Sequence, residues 1–195
     1  SVVLGSGNVI GPYPVIGGHA VVGDGDWFGA GVIVGAPPEV RSFEHPSDWV
    51  SGSDPASAGV VIGDGNRLRE AVQMHSGWKN PTRLGNHGFI MNQVYIAHDC
   101  SLGDTVTIAS SATLGGHVHI GDGATIGLGV AVHQQRVVGA LAMVGMSSVI
   151  TKDVPAFAMA FGNPCRIEGV NEVGMQRNGF SADEIAWVRD WIGGS

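Results

Sequence analysis

Aliphatic residues recur at every sixth position between Arg83 and Thr151, and this spacing is the strongest pattern in the chain. Twelve consecutive positions follow it without a break, namely Leu84, Ile90, Ile96, Leu102, Ile108, Leu114, Ile120, Ile126, Val132, Val138, Val144 and Ile150. A period of six fits neither an α-helix nor the alternation of a single strand. It is typical of hexapeptide-repeat β-helices, all-β solenoids in which three repeats make a triangular coil of about eighteen residues. The handedness of the coil does not follow from the period.

The same hexads begin at Leu4, which predicts a prism that spans residues 1–151. The residue after each aliphatic position is mostly glycine or alanine, and we expect the backbone to bend there, where a Cβ would be crowded. Residues 36–60 interrupt the pattern with proline, serine and aspartate, which predicts a loop extruded from the prism. A second break at residues 77–81 adds four residues to one coil.

Residues 152–195 are predicted to form a C-terminal extension. Two prolines and a Gly-Asn-Pro turn follow Thr151 and cannot easily continue regular coils. Ser181 and Glu184 match a capping box, so a short helix is predicted at 181–192. Its apolar stripe consists of Ile185, Val188, Trp191 and Ile192.

Composition narrows the choice of partners and location. The 195-residue chain has a net charge of −7 and two lysines, Lys79 and Lys152, which disfavours a nucleic-acid surface. Cys100 and Cys165 are expected to be reduced thiols of a cytoplasmic protein. No apolar run reaches the length of a membrane span, and no signal peptide opens the chain. The first residue is Ser1 rather than methionine, so the start can have been trimmed.

Histidines are predicted to cluster on one edge of the prism. Because residues eighteen apart lie above one another, His98 is placed below Gly116 and two coils below Gln134. Correction for the four-residue insertion places His75 in the column of His133. The predicted cluster consists of His75, His98, His117, His133 and Gln134, with Asp99 directly after His98.

Two kinds of chemistry use such a cluster. In the first, His98 is a general base, a carboxylate holds its tautomer, and a backbone N–H stabilises an oxyanion. Asp99 is the adjacent carboxylate, but the sequence leaves the direction of its side chain open. In the second, three imidazoles bind zinc, as in the carbonic anhydrases built on this prism. The histidine spacing does not match the pattern of those enzymes, so no metal is predicted.

Several motifs resemble the UDP-N-acetylglucosamine O-acyltransferase family, which catalyses the first step of lipid A synthesis. They are IGDGNRLREAVQMH, NQVYIAHDCSLGD, ATLGGHVHIGD, AVHQQ, DVPAFAMAFGNP and GVNEVGMQRNGFS, and together they extend the resemblance over nearly the whole chain. The resemblance implies a homotrimer of left-handed parallel β-helices with active sites between subunits. It also implies metal-free transfer of an acyl chain from acyl carrier protein to the sugar 3-hydroxyl.

The resemblance implies roles for individual residues. His98 matches the general base, Asp99 its neighbour, and Gly116 the position whose N–H forms the oxyanion hole. The residues expected to bind the substrates are His75, His117, His133, Gln134, Asn171 and Arg177, of which His75 comes from the column and the others from the family motifs.

Four departures from the family pattern qualify these expectations. Tyr95 stands where the family has a second histidine, and the loop at 36–60 lacks the lysine that meets the sugar. Met146 occupies the position that measures acyl length, and its bulk predicts a short or medium chain. The basic C-terminal helical domain, which helps to dock the carrier protein, is almost entirely missing. With a net charge of −7, this makes a coenzyme A donor an alternative.

The leading interpretation is therefore an acyltransferase that acts on a UDP-N-acetylglucosamine-like sugar, with the acyl thioester as co-substrate and no cofactor. One alternative is a coenzyme A-dependent acyltransferase or acetyltransferase for a different amino sugar in a secondary pathway. Another is a zinc-dependent hydratase or lyase on the same fold. A third is a scaffold that binds ligand without turnover. The sequence also leaves open whether the nucleophile is a hydroxyl or an amine.

Overall fold

The computed structural model describes residues 1–48, 50 and 57–193. These residues form a left-handed parallel β-helix with a short helical tail, which confirms the predicted fold class. Each coil contributes one short strand to each of three parallel sheets. Residues eighteen apart pair in register through most of the prism, as Leu84 does with Leu102.

The three sheets run along the three faces of the prism. Sheet 1 consists of β1 (Val2–Leu4), β4 (Ala20–Val22), β7 (Val60–Ile62), β10 (Thr82–Leu84), β13 (Ser101–Leu102), β16 (His119–Ile120) and β19 (Val137–Val138). Sheet 2 begins with β2 (Val9–Ile10), β5 (Trp27–Phe28), β8 (Arg67–Leu68), β11 (Phe89–Ile90), β14 (Thr107–Ile108), β17 (Thr125–Ile126) and β20 (Met143–Val144). Sheet 3 consists of β3 (Val15–Ile16), β6 (Ile33–Ala36), β9 (Gln73–His75), β12 (Tyr95–Ile96), β15 (Thr113–Leu114), β18 (Ala131–Val132) and β21 (Val149–Ile150).

The corners of the prism are numbered here by the sheet that they follow. Corner 1 leads from sheet 1 to sheet 2, and corner 2 leads from sheet 2 to sheet 3. Corner 3 leads from sheet 3 to sheet 1 of the next coil. Residues at the same corner of successive coils form a column along the prism edge.

The repeating aliphatic residues form the core, as predicted. All twelve positions from Leu84 to Ile150 are at most 4% exposed. Each buried aliphatic side chain contributes about 1.5–3 kcal/mol of hydrophobic stabilisation, and one coil cannot bury its own set without neighbours. In the first coil, Leu4 and Ile10 are 44% and 43% exposed, because no described coil covers them.

At each corner, the residue that needs to be small and the residue in the left-handed conformation are at different positions. The small residue after each aliphatic position is needed for space, since a Cβ on Gly115 would lie 2.8 Å from the backbone nitrogen of Gln134 in the next coil. The left-handed turn occurs two residues later, at positions that are often not glycine. Asp99 and His117, with φ of 60° and 61°, are two of them. The expected crowding at the small residue is therefore confirmed, and the left-handed residue of the same corner comes two positions later.

Both insertions lie at corner 3. The first follows β6 and precedes β7, so the strands include Ala36 and Val60, which were assigned to the loop at 36–60. Residues 49 and 51–56 of that loop lie outside the described residues. The second lies between β9 and β10. Corner 3 is also the corner of His98, and the second insertion lies one coil below it.

The tail contains more regular structure than the sequence suggested. β22 (Ala158–Phe161) and β23 (Arg166–Val170) form a hairpin that extends sheet 2, and helix α1 (Glu172–Arg177) follows. Helix α2 (Ala182–Gly193) matches the predicted helix and carries the capping box, in which the Ser181 amide donates to Glu184 Oε2 at 2.7 Å. Among the described residues, no helix has the length and apolar character needed to cross a membrane.

Candidate active site

Corner 3 gathers the histidines as the eighteen-residue spacing predicted. The His117 amide donates to the His98 carbonyl oxygen at 3.0 Å, and the Gln135 amide donates to the Gly116 oxygen at 2.9 Å. His98, Gly116 and Gln134 therefore occupy one column over three coils.

His98 and Asp99 form a hydrogen-bonded pair. His98 Nδ1 lies 2.9 Å from Asp99 Oδ2, and the two side chains are 14% and 0% exposed. An ionised carboxylate only accepts hydrogen bonds, so a neutral His98 carries its proton on Nδ1 and keeps a lone pair on Nε2. The sequence left the direction of Asp99 open, and the structure turns it towards the imidazole.

Three consecutive amides hold the Asp99 carboxylate from its other side. The N–H groups of Lys79 and Asn80 donate to Oδ1 at 2.8 and 2.7 Å, and that of Trp78 donates to Oδ2 at 2.8 Å. Burial of Asp99 raises the pKa of its carboxyl, but the hydrogen bonds from these amides and from His98 outweigh burial and lower the pKa overall. Asp99 is therefore an anion at neutral pH.

Gly116 lies directly against the His98 ring. A Cβ at this position would lie 2.7 Å from both Cε1 and Nε2 of His98, so a side chain here would displace the imidazole. Its N–H makes no hydrogen bond to any residue in the described part of the chain. The preceding carbonyl, of Gly115, accepts a hydrogen bond from the Cys100 thiol at 3.2 Å, which fixes the peptide plane that carries this N–H. An N–H with no partner in the described chain can donate to an oxyanion, and Nε2 of His98 beside it can act as the base.

The other predicted ligands at corner 3 surround this pair. The His117 ring packs edge-on against the His98 ring with centroids 5.1 Å apart. His133 and Gln134 are exposed one coil further along, and His133 Nδ1 lies 3.1 Å from the Gln134 carbonyl oxygen. These three side chains present polar groups along the edge above His98.

His75 lies at the same corner one coil below His98, with a different environment. It is 8% exposed, its Nδ1 lies 2.9 Å from the Pro37 carbonyl oxygen, and its ring centroid lies 5.3 Å from that of Tyr95. His75 therefore ties the start of the first insertion to the prism. Its predicted contact with substrate stays a prediction.

Three predicted residues lie away from this cluster within one chain. Met146 is at corner 2 and is 69% exposed. Asn171 caps helix α1 through Oδ1 and donates to the carbonyl oxygen of Leu141, at corner 1. Arg177 is exposed in the last turn of α1. Sequence spacing alone gave no information about which corner the tail covers.

Comparison with known proteins identifies relatives of this chain. A model of the second domain of UDP N-acetylglucosamine O-acyltransferase matches residues 153–192. The acyl-[acyl-carrier-protein]--UDP-N-acetylglucosamine O-acyltransferase of Paracidovorax citrulli is 47% identical over 156 residues, which cover 76% of this chain and 60% of that protein. The enzyme of the same name from Aliivibrio fischeri is 37% identical over 133 residues, 67% of this chain. The present chain spans about half, 51%, of the length of the Aliivibrio enzyme.

Solved structures agree over a longer part of the chain. The UDP-N-acetylglucosamine acyltransferase from Campylobacter jejuni matches with a TM-score of 0.87 at 32% identity. The matched region covers 97% of this chain and 71% of the Campylobacter chain. The chain belongs to the UDP-N-acetylglucosamine O-acyltransferase family. LpxA from Acinetobacter baumannii, at 32% identity and a TM-score of 0.85, gives the same coverage.

The donor atoms that this member of the UDP-N-acetylglucosamine O-acyltransferase family offers fit zinc poorly. Ligand atoms of His98, Asp99 and His117 lie within 4.8 Å of one another. The Asp99 carboxylate already accepts four hydrogen bonds, which occupy its lone pairs. Two imidazoles remain, whereas catalytic zinc takes three protein ligands. The geometry disfavours zinc, and the absence of a metal stays a prediction.

Sequence reasoning missed the residues that hold the pair in this acyltransferase-family site. These are the amides of 78–80, the Thr82 hydroxyl, which accepts from the Asp99 amide at 2.9 Å, and the Cys100 thiol. Backbone amides carry no signal in residue identity. The one available signal was the position of the four-residue insertion, which precedes the coil of His98.

Proposed function

We propose that this protein transfers an acyl chain from a thioester to the 3-position of a UDP-N-acetylglucosamine-like nucleotide sugar. The observation that carries the proposal is the pairing of His98 with Asp99 beside the Gly116 amide, which has no partner among the described residues. The names of the relatives support this choice of reaction, since they specify an acyl carrier protein donor and a UDP-N-acetylglucosamine acceptor.

The proposed reaction begins when His98 Nε2 removes the proton from the acceptor hydroxyl. The oxygen attacks the thioester carbonyl carbon, and the Gly116 N–H donates to the oxyanion that forms. That attack forms the C–O bond; the tetrahedral intermediate then collapses as its oxyanion re-forms the carbonyl C=O and the C–S bond breaks. The imidazolium returns its proton to the leaving thiolate, so the base is regenerated. Asp99 stabilises the imidazolium and keeps the proton on Nδ1.

The proposed acceptor site extends along corner 3. His117, His133 and Gln134 are polar, lie beside or above His98, and suit the hydroxyl and phosphate groups of a nucleotide sugar. The mechanism needs no cofactor, because the thioester supplies the activated acyl group. Acyl carrier protein is the proposed donor, coenzyme A is the alternative, and the cytoplasm is the proposed location.

A homotrimer is part of the proposal because Met146 and His98 lie at different corners. Sheet 3 lies between corners 2 and 3, so a copy packed against this face brings its corner 2 towards the corner 3 of its neighbour. The outward residues of sheet 3 support this, because none is charged: Val15, Ile33, Gln73, Tyr95, Thr113, Ala131 and Val149. Corner 1 lies opposite sheet 3, so this packing does not account for Asn171 or Arg177, and their substrate roles stay predictions.

The test is a matrix of donors and acceptors. Purified protein is incubated with carrier-protein and coenzyme A thioesters of several lengths, each with UDP-N-acetylglucosamine, its 3-amino analogue or no sugar, and products are read by mass. We expect O-acylation of UDP-N-acetylglucosamine from a carrier-protein donor of short or medium length. Preference for coenzyme A and another sugar would support the alternative, and hydrolysis or transfer to no sugar would contradict the proposal.

A further inference from the structure

The Asp99 amide departs from the hydrogen-bonding pattern of the other corners. At regular corners, the amide of the residue in the left-handed turn donates to a carbonyl in the coil below. Thr105 donates to Asn86, Ser111 to Asn92 and His117 to His98, in each case nineteen positions earlier. The Asp99 amide donates instead to the hydroxyl oxygen of Thr82 at 2.9 Å. The insertion has therefore moved the backbone carbonyl away from this position.

The same insertion turns three amides towards the Asp99 side chain. The N–H groups of Trp78, Lys79 and Asn80 lie 2.7–2.8 Å from the carboxylate oxygens. With His98 as the fourth donor, each oxygen accepts two hydrogen bonds. Asp99 is thus held at two points. Its backbone amide donates to the Thr82 hydroxyl, and its carboxylate accepts from three consecutive main-chain amides.

We propose that residues 77–82 are a positioning element that fixes the tautomer and orientation of His98 through Asp99. The proposal rests on the proposed function and deepens it, because it gives the insertion a role in orienting the general base, His98. A carboxylate with four fixed donors cannot rotate, so Oδ2 stays opposite Nδ1 and the Nε2 lone pair stays beside Gly116. Orientation of a catalytic group is worth large factors in rate, and a displacement of about 1 Å costs up to a hundredfold.

The three donors are backbone amides, so their positions depend on the backbone conformation of residues 78–80 and not on the side chains there. Lys79 is exposed, and its Nζ lies 3.8 Å from the centroid of the Trp78 ring, where it covers the turn from outside. Side-chain truncation at Lys79 leaves its amide in place. Proline at the same position removes that donor alone.

The first test compares Thr82→Val with Thr82→Ser. Valine has the shape of threonine but leaves the buried Asp99 amide without an acceptor, whereas serine keeps the hydroxyl. We expect Thr82→Val to lower kcat by roughly ten- to a hundredfold with little change in KM. Thr82→Ser, which keeps the hydroxyl, is expected to retain most of the wild-type kcat. Equal kcat values for wild type and Thr82→Val, in folded protein, would overturn the proposal.

The second test reads the tautomer directly and needs no substrate. Protein with ¹⁵N-labelled histidine is compared as wild type, Lys79→Ala, Lys79→Pro and Thr82→Val, and the His98 signals are assigned by their loss in His98→Ala. We expect wild type and Lys79→Ala to keep the proton on Nδ1, and Lys79→Pro to populate the other tautomer. An unchanged tautomer in both Lys79→Pro and Thr82→Val would overturn the positioning role. If wild type lacks turnover on every sugar, the proposed function fails while this measurement still decides the inference.

Discussion

At the scale of single residues, the site depends on a few contacts that leave little freedom. His98 is held between Asp99 on one side of the ring and Gly116 against its face. Cys100 lies behind Gly116 and is fully buried, and burial raises the pKa of its thiol to about 12. The thiol therefore stays protonated at working pH and acts as a hydrogen-bond donor to the Gly115 carbonyl, while a nucleophilic role is disfavoured.

Replacement of His98 by alanine is expected to lower kcat about a hundredfold or more, since this is the usual contribution of a general base. Turnover of the best donor and acceptor pair is the measurement. His119→Ala is the control, because His119 is exposed on sheet 1, away from corner 3. Near-normal turnover of His98→Ala would remove His98 from the mechanism.

Gly116→Ala is expected to abolish most turnover while the protein stays folded. The added Cβ would lie 2.7 Å from Nε2 of His98 and forces the imidazole out of line, with a cost in kcat of about a hundredfold. Steady-state kinetics and a circular-dichroism melt separate this effect from misfolding. Full activity in the variant would argue against both the ring placement and the oxyanion role of this amide.

At the scale of the elements, columns of similar residues join the coils at each corner. At corner 1, Asn8, Asp26 and Asn66 occupy the same position in three successive coils. Asn8 Oδ1 accepts from the Asp26 amide at 2.7 Å, and Asp26 Oδ1 accepts from the Asn66 amide at 2.6 Å. Asp26 is fully buried, and its Oδ2 lacks a partner in the described residues. Asparagine thus fits this column, and aspartate is the exception.

The Asp26→Asn variant is expected to be more stable than wild type at neutral pH, by about 1 kcal/mol. Burial, with a smaller effect from the like charges of Asp64 and Asp24, raises the pKa of Asp26 above its ordinary 3.8, although hydrogen bonds from Asn66 oppose this. A raised pKa in the folded state means that ionisation costs stability as pH rises through that pKa. Below 3.8 the wild-type carboxyl is neutral in both states, so the difference should disappear.

Thermal melts of both proteins across the acidic and neutral range measure this effect. A neutral-pH Tm for Asp26→Asn at or below that of wild type would contradict the argument. A gain that persists unchanged below pH 3.8 would show that the charge of Asp26 is not its cause.

At the scale of the whole molecule, the prism separates residues that the proposed reaction needs together. Met146 projects from corner 2, one coil above Leu128, and the two side chains are 69% and 48% exposed. Exposed apolar side chains on one edge favour contact with another surface. A trimer packed through sheet 3 would place this edge opposite His98 of a neighbour, and mass measurement in solution should give three times the 20.1 kDa of one chain.

Met146→Gly is expected to shift the preferred donor towards longer acyl chains, because removal of the side chain leaves more room for the acyl group beside the neighbouring site. Rates with donors of increasing length measure the shift, and Leu128→Gly, at the same corner one coil below, is the comparison variant. An unchanged chain-length profile would refute the assignment of Met146 as the ruler. A monomer with full activity would refute the shared site itself.

The sequence by itself determined the prism and the column of His98, Gly116 and Gln134. Both depend on strict periodicity, in which equal spacing along the chain becomes vertical alignment in space. The sequence also located the helix at 181–192, because capping and amphipathic signals are local. The hairpin β22–β23 and helix α1 were missed, because their pairing with sheet 2 and corner 1 depends on contacts distant in sequence.

Only the tertiary structure decided which groups surround the base. Backbone geometry at corner 3 sets the direction of Asp99 and of the amides of 78–80 that hold it. It also leaves the Gly116 N–H without a partner in the part of the chain that the structure describes. Main-chain donors are the same in every residue, so no residue pattern reports where they point. The separation of Met146 from His98 is likewise a property of the three-sided coil, since periodicity gives height along the prism whereas sheet topology gives the corner.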